Sequence, residues 1–344
     1  MAFTTINNGS LYMNTKLYTG TGASNALTGV GFQPDMTWIK NRSGNADHVL
    51  FDVIRGATKP IFPNDTNAES TAVNELTSFD SDGFTVGSGG NVNGNGNGIA
   101  SWNWLANGAG SANTAGSINS TVSANTTAGM SIVKYQGTGA NATVGHGLGA
   151  VPKMILFKSL TNAISWIVYS SELNISSSNC LRLNGTNAAF TESAWNGTRP
   201  TTSVFSLGIH NEANNSSGET IAYCFADVQG YSKFGSYTGN GNADGTFVYT
   251  GFKPAFVIYK KSSGTGDWVM ATNSILGYNQ VDTQILANTS SPETTNTAQS
   301  CDILSNGFKL RGTQSNSNAS GSTYIYMAFG QSIVGTNNVP ANAR

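Results

Sequence analysis

Tyr237-Thr238-Gly239-Asn240-Gly241 opens the stretch that decides the fold; it runs on through Gly251-Phe252-Lys253-Pro254 to Phe256-Val257-Ile258-Tyr259-Lys260-Lys261. It reads as a strand end, a glycine turn, a Gly-aromatic-x-Pro corner and an apolar strand that stops at lysine. The same string stands twice upstream. Tyr18-Thr19-Gly20-Thr21-Gly22 leads to Gly31-Phe32-Gln33-Pro34 and Thr37-Trp38-Ile39-Lys40, and Tyr135-Gln136-Gly137-Thr138-Gly139 leads to Gly149-Ala150-Val151-Pro152 and Ile155-Leu156-Phe157-Lys158. The first glycines stand 117 (20 to 137) and 102 (137 to 239) residues apart. A period that long is domain-sized, not solenoid-sized. The sequence reads as a triplication.

Each copy goes on to a Gly/Val-Phe-x-apolar step: Gly83-Phe84-Thr85-Val86, Val204-Phe205-Ser206-Leu207 and Gly307-Phe308-Lys309-Leu310. Each then closes on Ala100 to Trp104, Ile221 to Phe225 or Ile325 to Phe329. In register, every second closing position is mostly large and apolar: Ala100/Ile221/Ile325, Trp102/Tyr223/Met327 and Trp104/Phe225/Phe329. A period of two predicts a pleated strand with one face on a core. The expected fold is all-β, three tandem antiparallel β-sandwich repeats of about 100 residues, each with its own core.

Composition agrees. Only 10% of residues are charged, Gly accounts for 41 of 344, and 38% are hydrophobic. Scattered β-branched and aromatic residues between Gly-, Asn- and Ser-rich turns favour short strands over helices. A formal net charge of −1 sets up no field for nucleic acid or an anionic membrane. No run reaches the roughly 18 apolar residues of a membrane span, and the opening residues lack a signal-peptide pattern. The Asn-x-Ser/Thr triplets at Asn125, Asn184 and Asn196 therefore read as accidents of composition. Cys180, Cys224 and Cys301 fall at unmatched positions of the repeat and read as buried small residues, not as a disulfide or zinc framework.

In chain order, residues 1–16 form an entry segment expected to dock on another subunit. Residues 17–109 form the first repeat, 110–127 a Ser/Thr/Asn/Gly linker able to pair as an edge strand, 128–229 the second repeat, 230–334 the third, and 335–344 a tail. One short helix is expected within Asn64 to Leu76, where Glu69 and Glu75 flank an Ala/Val stripe.

Little in the chain points to chemistry. The Tyr-x-Gly-x-Gly strings are followed by a corner and another strand, not by the helix N-terminus of a phosphate-binding loop, so turn chemistry is expected. Asp80-x-Asp82-Gly83 resembles the start of a calcium loop, but the later ligand positions hold Phe84 and Asn91, which favours a hairpin. His48, His146 and His210 recur nowhere in the repeat and form no nucleophile motif. Glu172, Glu192, Glu212, Asp227 and Asp267 read as ordinary surface carboxylates. Trp38, Trp102, Trp104, Trp166 and Trp268 fall on strands and are expected in cores. Trp195 lies in an insert beside Arg199, where a solvent-facing indole would suit stacking on a sugar; the alternative is that it caps the second core. Trp195 and Arg199 are the candidate ligand-binding pair. No cofactor and no metal are expected.

Several strings carry a resemblance. These are Met1 to Ile6, Leu17 to Gly20, Gln33 to Arg42, Leu50 to Thr58, Ser78 to Val86 and, most specific of all, Gly230-Tyr231-Ser232-Lys233-Phe234-Gly235-Ser236-Tyr237-Thr238-Gly239-Asn240-Gly241. Together they resemble a family of repeat-built virion proteins of tailed bacteriophages, common in marine phages and labelled tail-fibre or lectin-like. The resemblance implies sandwich modules of the jelly-roll or concanavalin-like kind, a place in the virion and a role in host attachment. It carries over no catalytic or ligand residue. The expectation is a non-enzymatic virion protein, a tail fibre or adhesin, contacting other virion proteins and a host-surface glycan or protein as a homo-oligomer, a trimer first. The alternatives are a capsid decoration or tail adaptor and, more remotely, a polysaccharide depolymerase.

Overall fold

The computed structural model describes residues 4–332. Among them, helix is confined to short turns, including α1 (Gly90–Asn93), α2 (Asn211–Asn214) and α3 (Asn273–Leu276). The rest of the regular structure is β. The first unit holds β1 (Met13–Thr19), β2 (Asn25–Thr28), β3 (Met36–Asn41), β4 (Val49–Asp52), β5 (Leu76–Asp80), β6 (Gly83–Val86) and β7 (Gly98–Trp104). The second holds β8 (Ser111–Asn113), β9 (Ser120–Asn125), β10 (Met130–Gln136), β11 (Ala142–Gly145), β12 (Met154–Ser159), β13 (Ile167–Ser170), β14 (Asn179–Arg182), β15 (Phe190–Thr191), β16 (Val204–Leu207) and β17 (Glu219–Phe225). The third holds β18 (Ser232–Thr238), β19 (Phe247–Tyr249), β20 (Phe252–Lys261), β21 (Trp268–Thr272), β22 (Thr283–Leu286), β23 (Thr294–Thr295), β24 (Cys301–Leu304), β25 (Gly307–Leu310) and β26 (Thr323–Ser332).

Every strand pairing within these sheets is antiparallel. The large sheets run β1-β7-β3-β4, then β15-β14-β13-β12-β17-β10-β9-β8, then β18-β26-β20-β21-β22-β23. In all three the closing strand (β7, β17 or β26) sits between the opening strand and the lysine-ended strand. The small sheets are β2-β6-β5, β11-β16 and β19-β25-β24. Residues 110–127, expected as a linker, supply β8 and β9, and β9 pairs with β10 along its length.

The closing strands depart from expectation. A period of two predicts one buried face, yet from Ala100 to Trp104, Ile221 to Phe225 and Tyr324 to Phe329 every residue is buried. The other alternate residues face the unit interiors, where Ile99, Ala222, Cys224, Tyr326 and Ala328 join three local cores between large and small sheets. The large residues face outward into a fourth core, which gathers Trp38, Trp102 and Trp104 from the first unit, Leu156, Trp166, Tyr223 and Phe225 from the second, and Phe256, Trp268, Met327 and Phe329 from the third. Rings meet across units: Phe329 lies 5.8 Å from both Trp104 and Phe225, and Phe256 lies 5.7 Å from Trp102. A sheet covered on both faces needs hydrophobic residues on both. On the closing strands the outer faces supply Trp102, Trp104, Tyr223, Phe225 and Phe329, and the inner faces Tyr324 and Tyr326.

The junctions close in a cycle. Lys40 Nζ donates to Ser290 O of the third unit at 2.8 Å, Lys158 Nζ to Thr66 O of the first at 3.1 Å, and Lys260 Nζ to Thr186 O and Asn187 O of the second at 3.2 and 2.9 Å. A ring nitrogen crosses each junction beside the lysine. His48 Nε2 meets Leu286 O at 3.1 Å, Trp166 Nε1 donates to Phe62 O at 2.8 Å, and Trp268 Nε1 donates to Arg182 O at 2.8 Å. Trp38 Nε1 donates to His48 Nδ1 at 2.9 Å, so the histidine proton sits on Nε2 and points at Leu286. Unit one thus grips unit three, three grips two, and two grips one.

Residues 4–12 of the entry segment, expected to dock on another subunit, pack on their own chain. Ile6 lies in the shared core, Thr4 Oγ1 donates to Gln229 O at 2.5 Å, and Gly9 N donates to Gln331 Oε1 at 2.7 Å. A Cβ at Gly9 would stand 2.2 Å from Gly330 O, so only glycine fits there. Residues 335–344, read as a tail, lie outside the described residues. The helix expected within Asn64 to Leu76 is absent. Asp65 Oδ1 instead accepts from Thr66 N at 2.5 Å, and Glu69 N donates to Leu160 O of the second unit. Side chains competing for local amides favour such extended and turn conformations.

Candidate functional site

The glycine turns are consumed by structure. A Cβ at Gly20, Gly137 or Gly239 would come within 2.2 Å of Gly94 O, 2.3 Å of Asn215 O or 2.4 Å of Ala319 O. Gly22, Gly139 and Gly241 have φ of +67, +69 and +68°, which favours glycine. A fully buried asparagine staples each turn. Asn93, Asn214 and Asn318 accept from the amides of Thr21 (2.8 Å), Thr138 (2.8 Å) and Asn240 (3.0 Å). Their Nδ2 groups donate to Gly87 O, Gly208 O and Gly312 O, and also to Ala23 O, Ala140 O and Asn242 O. These amides are not free to cradle a phosphate. The Gly87 to Gly98 loop contains Asn93 and is one wall of this packing.

The sequence-predicted ligand pair separates. Trp195 is 2% exposed, its ring 5.1 Å from Phe157 and 5.7 Å from Tyr169, with Nε1 donating to Asn179 O. It fills the second core and offers no face to a sugar. Arg199 is exposed, and its Nη1 donates to Ser171 O at 2.9 Å.

Other chemistry-bearing groups also have structural partners. Asp80 and Gly83 close the β5–β6 hairpin, and Asp82 accepts from Gly29 N and Gly31 N. His146 meets Thr201 O, and His210 caps α2. Glu172 accepts from Ser236, Glu192 lies 3.6 Å from His210, Glu212 pairs with Arg182 at 2.9 Å, and Asp267 accepts from Asn288 and Asn316. Burial raises the Glu212 carboxyl, opposed by Arg182. Asp52, Arg55 and Glu69 form a buried ion cluster, into which Tyr223 OH donates to Asp52 Oδ2 at 2.6 Å. All three cysteines are buried and unbridged. Among the described residues no group of three His, Cys, Asp or Glu is placed to hold a metal ion.

One place is different. A cleft of about 440 Å³ opens beside the join of the second and third units, lined by Asp227, Gln229, Gly230, Ser232, Lys233, Tyr249, Thr250 and Gly251. Asp227 and Lys233 are ion-paired on its wall, and Tyr249 is 60% exposed. Tyr249 stands on β19, an edge strand, with Phe247 on the same outward face and buried Val248 between them. At the register positions of Phe247 and Tyr249, β2 carries Ala26 and Thr28, and β11 carries Thr143 and Gly145. The β11 edge is further covered by residues 117–118, where Ile118 N donates to Thr143 O at 3.0 Å. Only the third edge combines exposure with aromatic rings. Sequence reading missed it, although aromatics at Phe247 and Tyr249 where the other units have small residues were a visible signal.

These features define an all-β protein of several antiparallel sheets with a cleft at one edge. The chain belongs to the DUF7483 family, described as a domain of unknown function, whose family model matches residues 8–332. No curated protein matches the chain.

Proposed function

We propose that the chain is a structural protein of a tailed-bacteriophage virion, a tail fibre or adhesin that presents polar loops and one aromatic-edged cleft to a host surface, and that it performs no catalysis. The three units are read as copies of one jelly-roll or concanavalin-like β-sandwich, supported by the common strand order and the threefold recurrence of the Asn staple and the junction lysine. The resemblance of Gly230 to Gly241 and of the other strings to phage virion proteins gives the setting. The observation that carries attachment is the exposed aromatic edge. Large apolar side chains crowd into four cores, yet Phe247 and Tyr249 stand in solvent beside an open cleft. Contiguous exposed aromatics mark interaction sites. Several copies on a virion, a trimer in the first instance, would add avidity to a weak single site. Such an oligomer would use surfaces outside the shared core.

The test is adsorption. Purified protein should bind intact cells sensitive to the phage and slow adsorption of native virions. Protein that ignores cells but coats stripped capsids or tails would sink the attachment reading and favour a decoration or adaptor.

A further inference from the structure

We propose that the Tyr249 cleft is a saccharide site that takes a neutral hexose or N-acetylhexosamine residue of a surface polysaccharide. The inference rests on the attachment reading and names its ligand class. Pyranose rings present a C–H face and a rim of hydroxyls, so they bind where an accessible aromatic face meets a few fixed polar groups. Tyr249 supplies the ring. Gly251, at φ +84°, adds no side chain beside it; a Cβ there would stand 3.6 Å from the Tyr249 hydroxyl. Asp227, Lys233 and Gln229 supply carboxylate, ammonium and amide along the same wall. The Asp227 carboxylate is held in place by Phe234 N at 2.9 Å as well as by Lys233, so its remaining acceptor capacity is directed rather than floppy.

Charge and size choose the ligand. Asp227 and Lys233 cancel, leaving no net field to select a sulfated or phosphorylated polyanion. A volume of about 440 Å³ falls at the small end of ligand clefts and suits one or two sugar rings. Phe247 lies two residues along the strand, about 7 Å away, which extends the aromatic face along a chain. A single open site of this kind binds at about millimolar strength, consistent with attachment through many copies.

The experiment is binding of the full chain to an array of neutral, N-acetylated and uronate glycans, with titration of glucose, galactose and N-acetylglucosamine by saturation-transfer NMR. Wild type should engage neutral or N-acetylated sugars. Tyr249→Ala should weaken binding at least tenfold, whereas Tyr249→Trp, which keeps a stacking ring, should retain it. Lys233→Ala should weaken it less. Two results overturn the site: no sugar retained by the wild type, or retention unchanged in Tyr249→Ala. The same variants on cells separate the two proposals. Cell adsorption with sugar retention absent, or unchanged in Tyr249→Ala, removes the saccharide site and leaves attachment standing, whereas Tyr249-dependent sugar binding without cell adsorption does the reverse.

Discussion

The shared core and the small-sheet edges treat corresponding positions of the three units in opposite ways. In the core, Trp102, Tyr223 and Met327 differ chemically but do one job, filling the space between sheets. At the edges, Thr28, Gly145 and Tyr249 occupy one register position in different surroundings. Variation inside is constrained by volume, because close-packed interiors register even a methylene. Variation at an edge is constrained only by what the edge contacts. Residues that differ without a packing reason are therefore where function should be sought.

The comparison predicts the largest losses at the centre. Phe329 touches Trp104, Phe225, Tyr231 and Phe234, so Phe329→Ala should cost about 3–5 kcal/mol in urea unfolding. The loss should be felt by all three units in one cooperative transition. A loss under about 1 kcal/mol, or three separate transitions, would show that the units stand alone. Trp195→Ala should cost a similar amount but leave cell adsorption intact whenever the protein stays folded, since the indole faces a core. Next comes the staple. Asn214→Ala strands Thr138 N, Ala140 O and Gly208 O together, a loss of about 2–3 kcal/mol. Asn214→Asp should not rescue it, because a carboxylate cannot donate to the two carbonyls.

How much of this was legible depends on which physical pattern each feature leaves. Recurring strings of glycine, proline and aromatic residues, at turns and close approaches that tolerate few substitutes, located the strands. The shared core was hidden because Ser101, Asn103, Ala222 and Cys224 on alternate positions look like a solvent face, although the structure buries all of them. Lys40, Lys158 and Lys260 were visible only as the ends of apolar strands, and nothing in that pattern marks burial, because lysine is almost never fully buried unpaired. Their recurrence at one place was the unused clue. The staple asparagines sit in dissimilar contexts, Asn-Val-Asn, Glu-Ala-Asn and Asn-Ser-Asn, in a chain rich in asparagine.

The junction lysines give a pH signature. Burial lowers each from 10.5 to about 8, opposed by nearby acids such as Asp47, Asp65 and Asp267. Between about pH 8 and 9 the unfolded state therefore binds more protons than the fold, so stability rises with pH in that window. Above about pH 9 the three buried cysteines, whose thiols burial raises, hold protons that the unfolded chain loses and offset the lysines, and above pH 10 the buried tyrosines, raised in the same way, turn the trend downward. The melting temperature should climb from pH 7.5 to 9, and Lys260→Met should flatten about a third of the rise. A flat wild-type profile would mean that the carbonyl ligands fully offset the burial of the ammonium groups.

The smallest effect on stability is expected at the edge. Tyr249 is mostly exposed, so Tyr249→Ala should change unfolding by no more than about 0.5 kcal/mol while removing the ring from the cleft. The mirror experiment sharpens the point. Thr28→Tyr places a phenol at the same register on the exposed edge of the first unit, again at little cost. At the positions that Asp227 and Lys233 hold relative to β18, however, the first unit carries Asn8 and Asn14 relative to β1. A ring without a fixed carboxylate should not create a second saccharide site. If Thr28→Tyr binds the same sugars as strongly as the native edge, exposure of an aromatic ring is enough, and the polar wall of the Tyr249 cleft contributes no selectivity.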